Sequence, residues 1–190
     1  MKKTIKILIL VTFFYSCSDK NDFKNTEELF ITKIDSLQRI KHWENLINGE
    51  ENKPINIYLK NNEGEKLYEL KISDLETYTE SWVELMNIKN LKNIKRIIKV
   101  TSDFTACCSN VYSNYLLQTK NKELIELPET EYLHCDGLTP IVEYRFPNQK
   151  FGIKNKILLT ESFFNEEYEV DSILIKKTYK WNGKKIILEN

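Results

Sequence analysis

From Ile94 to Glu189 the chain is a succession of β-branched and aromatic runs cut by turn residues, and this half constrains the architecture most. The runs are Ile94–Phe104, Val111–Thr119, Glu123–Leu127, Ile141–Phe146, Lys156–Phe164, Tyr168–Trp181 and Lys184–Glu189. Between them lie Thr119-Lys120-Asn121-Lys122, Pro128, Asp136-Gly137, Pro147-Asn148 and Asn182-Gly183. The sharpest signal is Trp181-Asn182-Gly183-Lys184, because Asn-Gly between two β-rich runs favours a type I′ hairpin turn. The pattern predicts an antiparallel β-meander. The adjacent apolar pair Ile97-Ile98 leaves its register open.

The N-terminal half reads differently. Asn25 with Glu28 three residues on is a helix-start pattern. Leu29, Phe30, Ile34, Leu37, Ile40 and Ile47 follow on one side of a 3.6-residue helix, and Gly49 ends it. Ile55, Ile57 and Leu59 then alternate with polar residues. Asn61-Asn62-Glu63-Gly64 turns the chain, and Leu67, Leu70 and Ile72 complete a β-hairpin over 54–72. Ser73 with Glu76 repeats the capping pattern, and Leu75, Tyr78, Trp82 and Leu85 predict a second, short helix. Two N-terminal helices with a hairpin between them, followed by a β-meander, make an α+β fold class.

The first residues carry an address. Lys2, Lys3 and Lys6 precede the apolar run Ile7–Tyr15, and Ser16-Cys17 follows. A charged start, a short apolar core and a small residue at the cleavage edge read as a secretory signal. The run is too short to span a bilayer. Cys17 placed directly after it resembles the lipobox of bacterial lipoproteins, although Phe14 and Tyr15 are bulkier than the usual residues there. The Lys-, Asn- and Ile-rich composition and the following Ser18-Asp19-Lys20-Asn21-Asp22 look like Bacteroidota-type lipoproteins. That resemblance covers residues 1–22. It implies that Cys17 is lipidated and that the chain is held in the cell envelope at the outer membrane. Asp19 and Asp22 match an acidic surface-export signal only in part, which leaves the periplasmic and surface faces both open. The expected organisation is a signal peptide over 1–16, a lipidated tether over 17–25 and a single domain over 26–190. Eight residues from Ser18 to Asn25 reach about 27 Å at most, so the domain sits close to the membrane.

Charge excludes one class of partner. Without residues 1–16 the chain keeps 25 Lys and Arg against 28 Asp and Glu, a net of −3. Nucleic acid requires a basic footprint, so none is expected. The membrane is reached through the lipid.

Cysteines supply the other constraint. Cys107, Cys108 and Cys135 remain after Cys17. In an oxidising envelope a disulfide from Cys135 to Cys107 or Cys108 is expected. Neighbouring strand residues face opposite ways, so only one of the pair points at Cys135. The third thiol is expected to be buried. Together with His134 the three sulfurs also form a candidate soft-metal set, Cys107, Cys108, His134 and Cys135, though adjacent cysteines lack zinc-ligand spacing. A thiol nucleophile with His134 as base is a further alternative. No GxSxG elbow, CxxC or EF-hand spacing is present, and no catalytic residue, resident metal or cofactor is assigned. His42 reads as a partly exposed surface histidine. Glu161, Glu166, Glu167, Glu169 and Asp171 read as a solvated edge, and Lys89, Lys92, Lys95, Arg96 and Lys99 as a charged face. Tyr112, Tyr115, Tyr132, Tyr144 and Tyr179 suit sheet faces and interfaces alike.

The expectation is a lipid-anchored envelope module that binds an envelope or extracellular protein without catalysis. An immunity-type lipoprotein is one form of it. The alternative is an envelope enzyme or metal-binding protein built on the Cys107/Cys108/His134/Cys135 segment.

Overall fold

A computed structural model describes residues 28–189 except 52, 136 and 138. The signal segment, Cys17 and the tether lie outside the described residues. Among those described, the chain forms one helix and three antiparallel sheets, so the fold is mostly β and not the expected α+β arrangement.

The first sheet joins β1 (Leu29–Ile31), β2 (Ile55–Asn61) and β3 (Lys66–Ile72), with the helix α1 (Ser36–Ile47) between β1 and β2. The second holds β4 (Tyr78–Met86), β5 (Ile94–Thr105) and β6 (Ser109–Thr119). On the far edge of β6, β7 (Leu124–Glu126) and β8 (Thr130–His134) pair end to end, with β7 opposite residues 116–118 and β8 opposite 109–113. Pro128 lies at the break, where a missing N–H interrupts a ladder. The third sheet has the order β12-β11-β10-β9, made of β9 (Ile141–Arg145), β10 (Lys156–Phe164), β11 (Val170–Trp181) and β12 (Ile186–Glu189).

The second sheet is the middle layer. On one face Ile98, Val100 and Leu116 pack with Ile57, Leu59, Leu70 and Ile72 of the first sheet. On the other, Ile97, Tyr115 and Leu117 pack with Tyr144, Phe146, Ile157, Tyr179 and Trp181 around the third. This explains the adjacent apolar pairs Ile97-Ile98 and Leu116-Leu117 in β5 and β6: at those positions both faces of the sheet are covered. Ile97 pairs with Leu117 and Ile98 with Leu116, so each cross-strand pair feeds one core. Each such isoleucine, fully buried, contributes about 1.5–3 kcal/mol.

Two helix expectations are corrected. The first helix starts at N-cap Asp35, not Asn25. Asp35 Oδ1 accepts the Gln38 N–H at 2.8 Å and Gln38 Oε1 accepts the Asp35 N–H at 2.9 Å, a reciprocal cap that satisfies two orphan donors. Leu29–Ile31 instead pairs with β2 as an edge strand. The end of the helix is as expected, with Gly49 in the left-handed region at φ 70°. The second helix does not exist: Tyr78–Met86 is β4, paired along β5. Of its supposed apolar face, Trp82 and Leu85 are exposed, and Tyr, Thr, Trp and Val are strand formers. The Ser73/Glu76 pattern is a turn built on Asp74, whose Oδ1 accepts the Glu76 and Thr77 N–H groups.

The hairpin over 54–72 is present as β2–β3, with Gly64 at φ 79° and Asn61 Oδ1 accepting the N–H groups of Glu63 and Glu65. The seven C-terminal strands are also present, but they divide between two sheets and do not form one meander. The last hairpin turns at Asn182-Gly183 without the type I′ conformation. Only Gly183 has positive φ, at 95°, while Asn182 Oδ1 accepts the Lys184 and Lys185 N–H groups at 2.9 Å each.

Candidate functional site: a cleft between the first and second sheets

The first two sheets touch through Ile98 and Leu116 and then part. The reason lies in the register of β5 and β6 on that face. Ile98 pairs with Leu116, Val100 with Asn114, Ser102 with Tyr112 and Phe104 with Asn110. Side chains on one face recur every second residue, so this face runs from apolar to polar toward the β5–β6 turn. A cleft of about 620 Å³ opens there. Tyr68, Leu70, Ile72 and Asp74 line one wall; Ser102, Phe104, Asn110, Tyr112, Asn114 and Glu129 line the other.

Its polar groups are tied to each other. Asn110 Nδ2 donates to the Tyr112 hydroxyl and to Glu131 Oε1, each at 2.8 Å, and Tyr112 donates to the same carboxylate oxygen at 2.9 Å. Asn114 Nδ2 donates to Glu129 Oε1 at 2.9 Å. Across the cleft the Tyr68 hydroxyl donates to Glu126, which couples β3 to β7. The hydrogen bond to Glu131, with some burial, raises the Tyr112 pKa. For Tyr68, burial comes first and the Glu126 bond second, again raising it. Both phenols therefore stay protonated donors at neutral pH. Asp74 is shifted the other way: the Thr77 hydroxyl donates to it at 2.6 Å, and backbone N–H groups add to the lowering. The lining holds the carboxylates of Glu69, Asp74 and Glu129 against the single ammonium of Lys71. It offers acceptors and aromatic surface to a ligand that brings donors.

The cysteine segment forms the rim. Cys108 and Cys135 are joined in a disulfide across 27 residues. Cys107 carries a free thiol and is exposed, which corrects the expectation that the third thiol is buried. Cys107 and Cys108 sit in the β5–β6 turn and not within a strand, so one of the pair does meet Cys135 as expected, but strand alternation is not what selects it. The disulfide takes two sulfurs out of the four-donor set Cys107, Cys108, His134 and Cys135. Among the described residues no group of three or more His, Cys, Asp or Glu side chains is placed to hold a metal ion. His134, at the end of β8, meets Thr139 Oγ1 through Nδ1 at 3.0 Å and lies outside the cleft lining.

The other singled-out residues disperse. Glu166, Glu167 and Glu169 belong to the turn between β10 and β11, where Asn165 Oδ1 accepts the Glu167 and Glu169 N–H groups. Glu161 pairs with Lys176 at 2.5 Å. Of the basic stretch, Arg96 is buried with Nε donating to Gln118 at 2.7 Å, and Lys99 pairs with Glu84 at 3.0 Å. His42 is buried, not partly exposed. Tyr115, Tyr144 and Tyr179 enter the core beneath the third sheet, and Tyr112 alone of the five named tyrosines lines the cleft. Asn110, Asn114 and Glu129 were missed at the level of sequence. The available signal was the period-two series Leu116, Asn114, Tyr112, Asn110, which passes from apolar to polar along one face of the strand while Leu117, Tyr115 and Val111 recur on the other.

No protein-family model, curated protein or solved structure matches this chain.

Proposed function

We propose that this chain is a lipid-anchored protein of the bacterial cell envelope that acts by binding a protein partner in the cleft between β3 and β6. The single observation that carries the reading is the cleft wall itself. Asn110, Tyr112 and Asn114 are held in place by bonds to Glu129 and Glu131, and the lining sets three carboxylates against the one ammonium of Lys71. Preorganised side chains of this kind lower the ordering cost of association. Phe104, Tyr112 and Tyr68 add aromatic surface, which favours contact with the alkyl stems and cations of Lys or Arg. The anchor at Cys17 rests on the signal-like residues 1–16.

Two measurements test the two halves. Cys17→Ser should move the protein from the membrane to the soluble fraction, and the wild-type N-terminal peptide should carry acyl mass. Crosslinked capture from the protein's own membranes should recover a partner that Asn110→Ala/Glu129→Gln no longer retains. An unchanged recovery with that pair of substitutions contradicts the cleft as the binding site.

A further inference from the structure

Helix α1 is turned inside out. Its least exposed residues are Arg39, His42 and Asn45, with Leu46 beside them at 37%, while Leu37, Ile40, Trp43 and Ile47 are exposed at 76%, 52%, 50% and 83%. At 100° per residue those four fall within about a third of the helix circumference, on the side away from His42. The inner side is polar in its surroundings too. Gln38, Lys41, His42 and Asn45 border a groove with Asn56 and Tyr58 of β2, and the Arg39 guanidinium lies 5.9 Å from the centre of the Tyr78 ring. A surface helix of a globular domain normally does the reverse. An exposed apolar stripe of this kind marks an interaction surface.

We propose that this stripe docks into the interfacial region of the lipid bilayer, laying α1 flat on the membrane. The inference rests on the lipoprotein reading of Cys17, and the chain length supplies its argument. β1 begins twelve residues after Cys17, a span of about 40 Å even when fully extended. Helix α1 starts five residues after β1 ends, so its first residue, Ser36, follows Cys17 by nineteen residues along the chain. A lipid surface is therefore the apolar phase always within reach. Trp43, with an apolar ring system and one N–H, suits the headgroup boundary. The helix carries Arg39, Lys41 and Glu44, so the contact depends on apolar burial more than on anionic lipid. At twelve residues it is too short to span a bilayer. Held this way, the domain has one orientation over the membrane, not free rotation about a tether.

The test uses the full chain purified from membranes and reconstituted into phosphatidylethanolamine/phosphatidylglycerol vesicles containing a brominated phospholipid. The expected result is tryptophan quenching in the wild type that is lost in Trp43→Phe. Ile40→Asp/Ile47→Asp should also lose it while the protein remains vesicle-bound. Both positions are exposed, so folding is unaffected, and an unchanged urea midpoint checks this. The mass of the N-terminal peptide separates the two ideas. An acylated chain with no Trp43-dependent quenching overturns the docked helix and leaves the anchor standing. An unacylated chain that still shows it overturns the anchor and keeps the helix contact. A dimer in solution that the double Asp variant dissociates would place a second copy on the stripe and overturn the bilayer as its occupant.

Discussion

Ile97 and Ile98 are neighbours in sequence and belong to different hydrophobic cores: Ile97 packs under the third sheet and Ile98 under the first, both fully buried. The peptide between them lies in the middle sheet, and the two side chains leave it on opposite faces. Ile97→Ala and Ile98→Ala should each cost about 2–5 kcal/mol through lost transfer energy and a residual cavity. Because one strand serves both cores, each variant should unfold in a single urea transition. Two resolved transitions in either variant would show that the layers fold independently.

A polar network on β9 and β10 offers a second prediction. Arg145 is buried and donates through Nη2 to Glu143 and, at 2.9 Å, to Ser162 Oγ, and through Nη1 to the Lys150 carbonyl at 3.2 Å. Removing one partner of a buried pair leaves an uncompensated charge. Glu143 is part-buried and Arg145 keeps Ser162 and Lys150, so Glu143→Ala should cost about 1–3 kcal/mol, and Arg145→Met/Glu143→Leu less than that single change. Denaturant melts of the two variants check the order.

The opposite sign is expected at Tyr144. Its hydroxyl is buried and has no hydrogen-bond partner among the described residues. The nearby Tyr179 adds to the burial that raises its pKa, yet does not meet hydrogen-bonding geometry. Tyr144→Phe removes an unsatisfied buried group and should be neutral or stabilising by up to about 1–3 kcal/mol. A clear loss of stability in thermal melts would show that the hydroxyl is satisfied in solution.

Acid should act on the turn before β4. The folded pKa of Asp74 is lowered, chiefly by the Thr77 hydroxyl. A lowered carboxyl stabilises the fold above its unfolded value, about 3.9, and loses that contribution as pH falls through the folded value. The stability gap between wild type and Asp74→Ala, read from urea midpoints, should be constant at neutral pH and shrink below about pH 4. A gap that widens in acid contradicts the assignment.

The fold was legible where local chemistry acts alone. The Asn61–Gly64 and Asn182-Gly183 turns and the C-terminal strands follow from turn residues and β-branched runs. What was not legible is which layer each strand joins, because Ile97-Ile98 and Leu116-Leu117 carry no polar face to mark inside from outside. Tyr78–Met86 misled because its apolar residues fall at helical spacing by coincidence while its partner strand β5 is distant in sequence. Helix α1 misled in another way: its apolar stripe is real but faces outward. At the cleft, Cys108 and Cys135 were named as candidates, whereas Asn110, Asn114 and Glu129 acquire meaning only from the β5–β6 register and the Pro128 break. The disulfide closes a loop worth about 3.5 kcal/mol in the chain-entropy model.

The most direct test of the account is a photo-crosslinking residue placed at Leu133, on the cleft rim, and separately at Leu188, exposed on β12 of the third sheet, in the anchored protein in living cells. The account predicts a discrete protein adduct from position 133 that Asn110→Ala/Glu129→Gln removes, and none from position 188. Equal adducts from both positions, or an adduct at 133 indifferent to those substitutions, would contradict it.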